Sequence, residues 1–166
     1  MMLRLTIGVA ALALLAVAPG LPGAPALAKA SSSAKHAALR RVPLSIVTKR
    51  GVRHFTVEMA LTENEQARGL MFRTVVPKGT GMLFPMSPPR PAGFWMKNTL
   101  IPLDMVFIRE DGTIARVAAN TVPQSLDVVD SGEPVAAVLE LAGGAAAAQG
   151  ITANDRVSWP GGPKGG

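Results

Sequence analysis

From Val42 onward, turn residues cut the chain into segments too short for long helices, and many of those segments alternate in polarity. Leu44, Ile46 and Thr48 alternate with Ser45, Val47 and Lys49, the period of a half-buried strand. Arg50-Gly51 signals a turn, and residues 52–59 follow as a second strand with Phe55, Val57 and Met59 on one side. A hairpin through residues 49–52 is the simplest link between them. Thr62-Glu63-Asn64-Glu65 is a capping box, which predicts a short helix to about Arg68 with Gly69 as its left-handed stop. Leu70, Met71 and Phe72 then enter the core. Residues 75–81 read as a Pro/Gly loop and Met82-Leu83-Phe84 as a short buried strand. Residues 85–91 hold four prolines and read as irregular chain.

The second half repeats this style. Residues 94–98 read as extended. Residues 103–109 form a strand, Glu110-Asp111-Gly112 a hairpin turn, and residues 113–119 its partner. Residues 120–134 read as a polar loop, 135–141 as an apolar strand bearing Glu140, and 143–149 as one or two helical turns ended by Gly150. Residues 155–159 make the last strand. Seven or eight short strands with one or two short helices predict a mostly β protein, an antiparallel β-sandwich or open barrel, jelly-roll-like. No segment supplies the long crossover helices of a parallel βαβ fold.

The first 28 residues read as a signal peptide. Arg4 gives the positive start, residues 5–18 are a run of 14 that is apolar but for Thr6, and Ala26-Leu27-Ala28 fits a cleavage site. That run falls short of the roughly 20 residues that span a bilayer. Residues 29–41 read as a flexible basic leader, 42–159 as a single β-rich domain, and 160–166 as a disordered tail. The 166-residue chain is 48% hydrophobic, enough for a real core, and with no Cys it holds itself together by packing alone. Its net charge of +6 is unevenly placed: eight of the 17 basic residues precede Glu58, the first of the 11 acids. The basic leader therefore suits weak, unspecific contact with an anionic envelope surface, and no basic patch with interleaved aromatics points to nucleic acid.

Candidate chemistry is sparse. His54 is the one His of the domain, with no nucleophile-elbow motif to support a triad. There is no metal-ligand spacing and no phosphate-cradling glycine motif, so no cofactor is implied; Asp127, Asp130 and Glu133 offer at most a weak cation contact. The densest mixture of polar and apolar residues is FWMKNTLIPLD, residues 94–104. In extended chain Trp95 and Lys97 point to one side, and Phe94, Met96 and Asn98 to the other. A Lys beside a Trp in apolar chain calls for a partner, and Asp104 is the nearest acid, with Asn98 serving the bend. Arg68 closes the capped helix, where its planar fork suits an anion.

Several runs resemble a known family. Arg68-Gly69-Leu70-Met71-Phe72-Arg73, Gly81-Met82-Leu83-Phe84, the FWMKNT-x-IPLD run from Phe94 to Asp104, Val138-Leu139-Glu140 and Gly150-Ile151 are similar to domain-of-unknown-function family 192. The resemblance covers about residues 43–159. It implies a compact, mostly β, sandwich-like domain, often exported or membrane-tethered, and it implies no activity. One departure is Asn154-Asp155, where the family has Gly-Asp; Asn also tolerates left-handed backbone, so the turn should survive.

Arg68, Trp95, Lys97, Asn98 and Asp104 are thus the ligand-binding candidates on chemical grounds. They suggest a non-enzymatic cell-envelope binding module for a small anionic or sugar-like ligand or a peptide. The alternative is a small envelope enzyme with Lys97 and Asp104 as its acid/base pair. The leader reading makes a direct prediction: protein recovered from its native envelope should begin near Lys29. Intact-mass measurement checks it, and a mass retaining Met1 would sink it.

Overall fold

The computed structural model describes residues 39–163. The expected signal peptide, most of the basic leader and the end of the tail lie outside those residues.

Seven strands and two short helices follow in the order β1 (Arg41–Thr48), β2 (Gly51–Met59), α1 (Glu63–Arg68), β3 (Thr80–Phe94), β4 (Leu103–Ile108), β5 (Ile114–Ala118), β6 (Val129–Ala142), α2 (Ala145–Gln149) and β7 (Arg156–Ser158). They form one mixed sheet in the order β5-β4-β6-β3-β2-β1-β7. The sheet curls, because its two edges meet: Thr113 bridges Arg156, and the Ile114 amide donates to Asp155 O at 2.8 Å. Strand parity then sorts the core onto two faces. One cluster draws on all seven strands, with Leu44, Phe55, Leu83, Val106, Ile114, Leu139 and Val157 among its members, and fills the inside of the curl. The other, with Leu70, Met82, Phe84, Met96, Met105 and Phe107, lies on the opposite face beneath the α1 segment and the loops.

Both predicted hairpins form, β1–β2 around Lys49-Arg50 and β4–β5 around the Gly112 turn. The capping box closes as expected: the Glu65 amide donates to Thr62 Oγ1, and the Thr62 amide donates to Glu65 Oε2 at 2.8 Å. Asn154 takes φ of 68°, so the Asn-Asp departure keeps the left-handed turn.

Five local expectations need correction. First, β2 and β3 pair in parallel, joined by a crossover over residues 60–79 in which a six-residue helix and loops suffice. Second, the proline segment belongs to β3. Pro85 pairs with Ala137 and Arg90 with Val135, so the residues between them form a bulge. Pairing with β2 stops at Leu83, so beyond that point β3 owes β2 no amide and prolines are tolerated. Third, the polar loop ends early: β6 starts at Val129, where it pairs with Phe94. Fourth, Phe72 is 57% exposed with φ of 63°, outside the core. Fifth, the domain begins before Val42, because Arg41 opens β1 and its side chain pairs with Glu58 at 3.2 Å.

Candidate functional site

The α1 segment is held down on β3 by named contacts. Gln66 donates from Nε2 to Ala60 O at 3.2 Å and to Pro85 O at 3.1 Å. Gly69 has φ of 48°, and a Cβ there would lie 3.3 Å from the Phe84 ring, so only glycine lets the helix end settle this close. Between residues 66–71 and the second half of β3 a cleft of about 320 Å³ remains open. Arg68 and Arg90 stand at its rim and Trp95 borders it, while Phe84, Met86 and Phe94 form apolar wall. Phe84 and Phe94 meet edge to face, with centroids 5.2 Å apart. At the base lies Glu140.

The structure divides the five candidates. Arg68 and Trp95, distant in sequence, line the same cleft. Lys97 does not line it; the ammonium sits over the Trp95 ring, 5.1 Å from its centroid, and the residue is exposed. Residues 95–98 leave extended geometry, because Asn98 turns the chain with φ of 57° and reaches Met71 Sδ at 3.8 Å. Asp104 is fully buried and has no contact with Lys97. Its carboxylate accepts from the amides of Asn120 at 2.8 Å, Gly144 at 3.0 Å and Ala146 at 2.8 Å. On β4 it shares parity with Val106 and Ile108, inside the curl, whereas the cleft opens on the other face. The expected Lys97–Asp104 pair does not exist. The FWMKNT-x-IPLD run puts the cation at a surface and the anion at a loop-organising joint.

The three loosely grouped acids are engaged elsewhere. Glu133 accepts from Arg109 at 2.5 Å, Asp130 lies 3.9 Å from Arg116, and Asp127 accepts from Ser125 Oγ at 3.0 Å. His54 is an exposed strand residue 3.1 Å from Ser45 Oγ.

Two cleft residues escape the sequence reading, Arg90 and Glu140. Arg90 is hidden by its proline context. Glu140 did carry a signal, a lone acid within an apolar strand. It is 5% exposed, pairs across β6 with Met82 on one side and Met105 on the other, and accepts no hydrogen bond among the described residues. Burial pushes its carboxyl up to about 8, with only partial relief from the Arg73 charge. Arg73 is committed to Glu58, whose carboxyl burial would raise but which Arg73 and Arg41 together hold below the usual range.

Two measurements test this geometry. In a denaturation cycle, Asp104→Ala should cost about 3 kcal/mol or more, because it orphans three amides. Lys97→Met should leave the midpoint unchanged, and the double variant should match Asp104→Ala alone. Measurable coupling between the two positions would restore the buried pair. For Glu140 the sign is set by a folded value of about 8 against an ordinary 4.5. The neutral acid favours folding, so its contribution is complete below pH 4.5 and is lost as pH rises towards 8, at roughly 1.4 kcal/mol per unit. Urea midpoints measured over that window should fall in the native chain and lose that slope in Glu140→Gln.

No curated protein matches the chain. Among solved structures it is similar to a candidate transcription regulator of Sinorhizobium meliloti 1021, with 40% identity and a TM-score of 0.73 over 75% of this chain and 98% of that one. It is also similar to a protein of unknown function from Novosphingobium aromaticivorans DSM 12444, with 42% identity and a TM-score of 0.71 over 82% of this chain and 94% of that one. The model of domain-of-unknown-function family 192, described as Uncharacterized ACR, matches residues 45–159. Running from within β1 to just past β7 and including every wall of the cleft, that match makes this chain a member of domain-of-unknown-function family 192.

Proposed function

We propose that the chain is a non-enzymatic binding module of the cell envelope whose cleft takes a small ligand bearing an anionic group. The observation that carries this reading is the convergence of Arg68, Arg90 and Trp95 on one cleft. Neither Arg68 nor Arg90 has an ion-pair partner among the described residues. A guanidinium left free beside a half-exposed indole suits an anionic head on a flat or apolar body, such as an acidic sugar or a short peptide. Lys97 over Trp95 fixes the indole and adds positive potential at the mouth. Export rests on the apolar run and the Ala-Leu-Ala site of the first 28 residues. The enzymatic alternative has less support, since Lys97 and Asp104 share no accessible site and Asp104 is spent on backbone amides.

The test is a heteronuclear NMR titration of the mature chain with a uronic acid, an acetylated dipeptide, inorganic phosphate and a neutral sugar. The Trp95 indole and the Arg68 and Arg90 side chains should shift together and saturably with at least one anionic probe. Arg68→Ala should weaken that probe's binding about tenfold or more, the scale of one charge-assisted bidentate contact. Shifts scattered over the surface, or none in the cleft with any probe, would remove the reading.

A further inference from the structure

Glu140 is an acid in an unusual position. It sits on β6, an interior strand of the sheet, flanked by Met82 of β3 and Met105 of β4, and is almost wholly withdrawn from water. A carboxyl so placed normally has a cation or several amides for company, as Asp104 does. Glu140 has neither among the described residues. The charged groups facing it are Arg73, from the segment after α1, and Arg68 and Arg90 at the cleft rim. Arg73 is bonded to Glu58, and Arg68 and Arg90 are exposed residues of the cleft lining with no hydrogen bond to Glu140. Yet the side chain is not sealed in, because it forms the base of the cleft.

We infer that the cleft is a carboxylate site in which the protonated side chain of Glu140 donates its O–H to one oxygen of the ligand's carboxylate. Two features of the cleft select that chemistry, and the inference rests on the cleft being a ligand site at all. The rim carries two unpaired guanidiniums, which attract an anion and repel an amine. The base supplies a neutral acid, which gives an anion a strong charge-assisted hydrogen bond instead of repulsion. Burial holds Glu140 in that form through neutral pH. The walls of Phe84, Met86 and Phe94 suit an apolar body, and a dianion such as phosphate would lose too much hydration against them. No covalent step is involved, and the proton stays on Glu140 and is shared with the ligand.

Calorimetric titration of the mature chain with benzoate, benzylamine and inorganic phosphate from about pH 6.5 to 9.5 decides the matter. Benzoate affinity should be level near pH 7 and fall about tenfold per unit above the Glu140 transition near 8. Glu140→Gln, which keeps a neutral donor of the same shape, should bind benzoate with no such fall. The carboxyl ¹³C resonance of Glu140 in the free protein should report the protonated form at pH 7. A benzoate affinity that ignores pH in the native chain, a benzylamine affinity that rises with pH, or an ionised Glu140 at pH 7 would each overturn the inference. Phosphate bound at Arg68 with benzoate excluded at every pH would overturn it too, while leaving the cleft's binding role standing. Silence from all three probes would overturn the inference, and the binding role would fall with it only if the uronic acid and the dipeptide were silent as well.

Discussion

Strand β6 is hydrogen-bonded on both edges, to β3 and to β4, and most of its second half is buried on both faces. Every other element is placed with reference to it. β3 and β4 take their registers from it, and the two core clusters are the two sides of its pleat. Leu139 and Leu141 point into the curl while Val138 packs on the cleft face. On such a strand there is no neutral place for a polar side chain. Shifting the register by one residue would put Glu140 into the cluster that closes the curl, so the acid itself helps forbid that slip.

The sheet therefore carries two buried acids and handles them in opposite ways. Asp104 is one residue from the end of its core-facing run, within reach of the β5–β6 connection and the start of α2. Three amides converge on it from residues 120, 144 and 146. That single carboxylate ties together two loops that have little apolar side chain to bury. Gly143 shows how tightly the joint is drawn, since a Cβ there would come within 2.8 Å of Pro102. Glu140 receives no amide in this way, because its neighbours within the sheet are strand interiors whose amides are already used in the ladder. Backbone geometry permits rescue of the first acid and denies it to the second. Burial consequently pushes the second carboxyl up to about 8, with no amide to offset it.

Much of the fold was legible because it is written in local signals: period-two alternation for β1 and β2, the Thr62–Glu65 box for α1, the Gly112 turn, and the Gly150 stop. What escaped was non-local. The proline run at 85–91 violates strand propensity, but β3 loses β2 as a neighbour after Leu83, and the amides that prolines lack are not missed. The parallel β2–β3 pair carries no local signal, because its crossover is made by loops and a six-residue helix rather than by a long one. At the site, Arg68 and Trp95 were found from residue chemistry, whereas Lys97–Asp104 was paired by nearness in sequence. Strand parity and the Asn98 turn place those two apart, and proximity along the chain is a poor guide once a bend with positive φ intervenes. Glu140 was visible as an acid in an apolar strand, but its meaning depends on the cleft above it, which only the docking of α1 creates.

The distribution of charge follows the same logic. Four arginines of the domain are matched locally, Arg41 and Arg73 with Glu58, Arg109 with Glu133 and Arg116 with Asp130, while Lys49, Arg50, Arg53 and Lys78 have no acidic partner among the described residues. These pairs are at least partly exposed, so each adds little stability. At the cleft rim Arg68 and Arg90 are likewise unmatched, and Lys97 rests on Trp95 rather than on an acid. Withholding counter-charges there gains nothing for folding, since a nearby Glu would shield the rim at small cost. It does leave a focused positive mouth above an apolar-walled base where a charged carboxylate is disfavoured. A rim that attracts an anion and a floor that does not repel it are two halves of one electrostatic arrangement, and neither half has a structural purpose without the other.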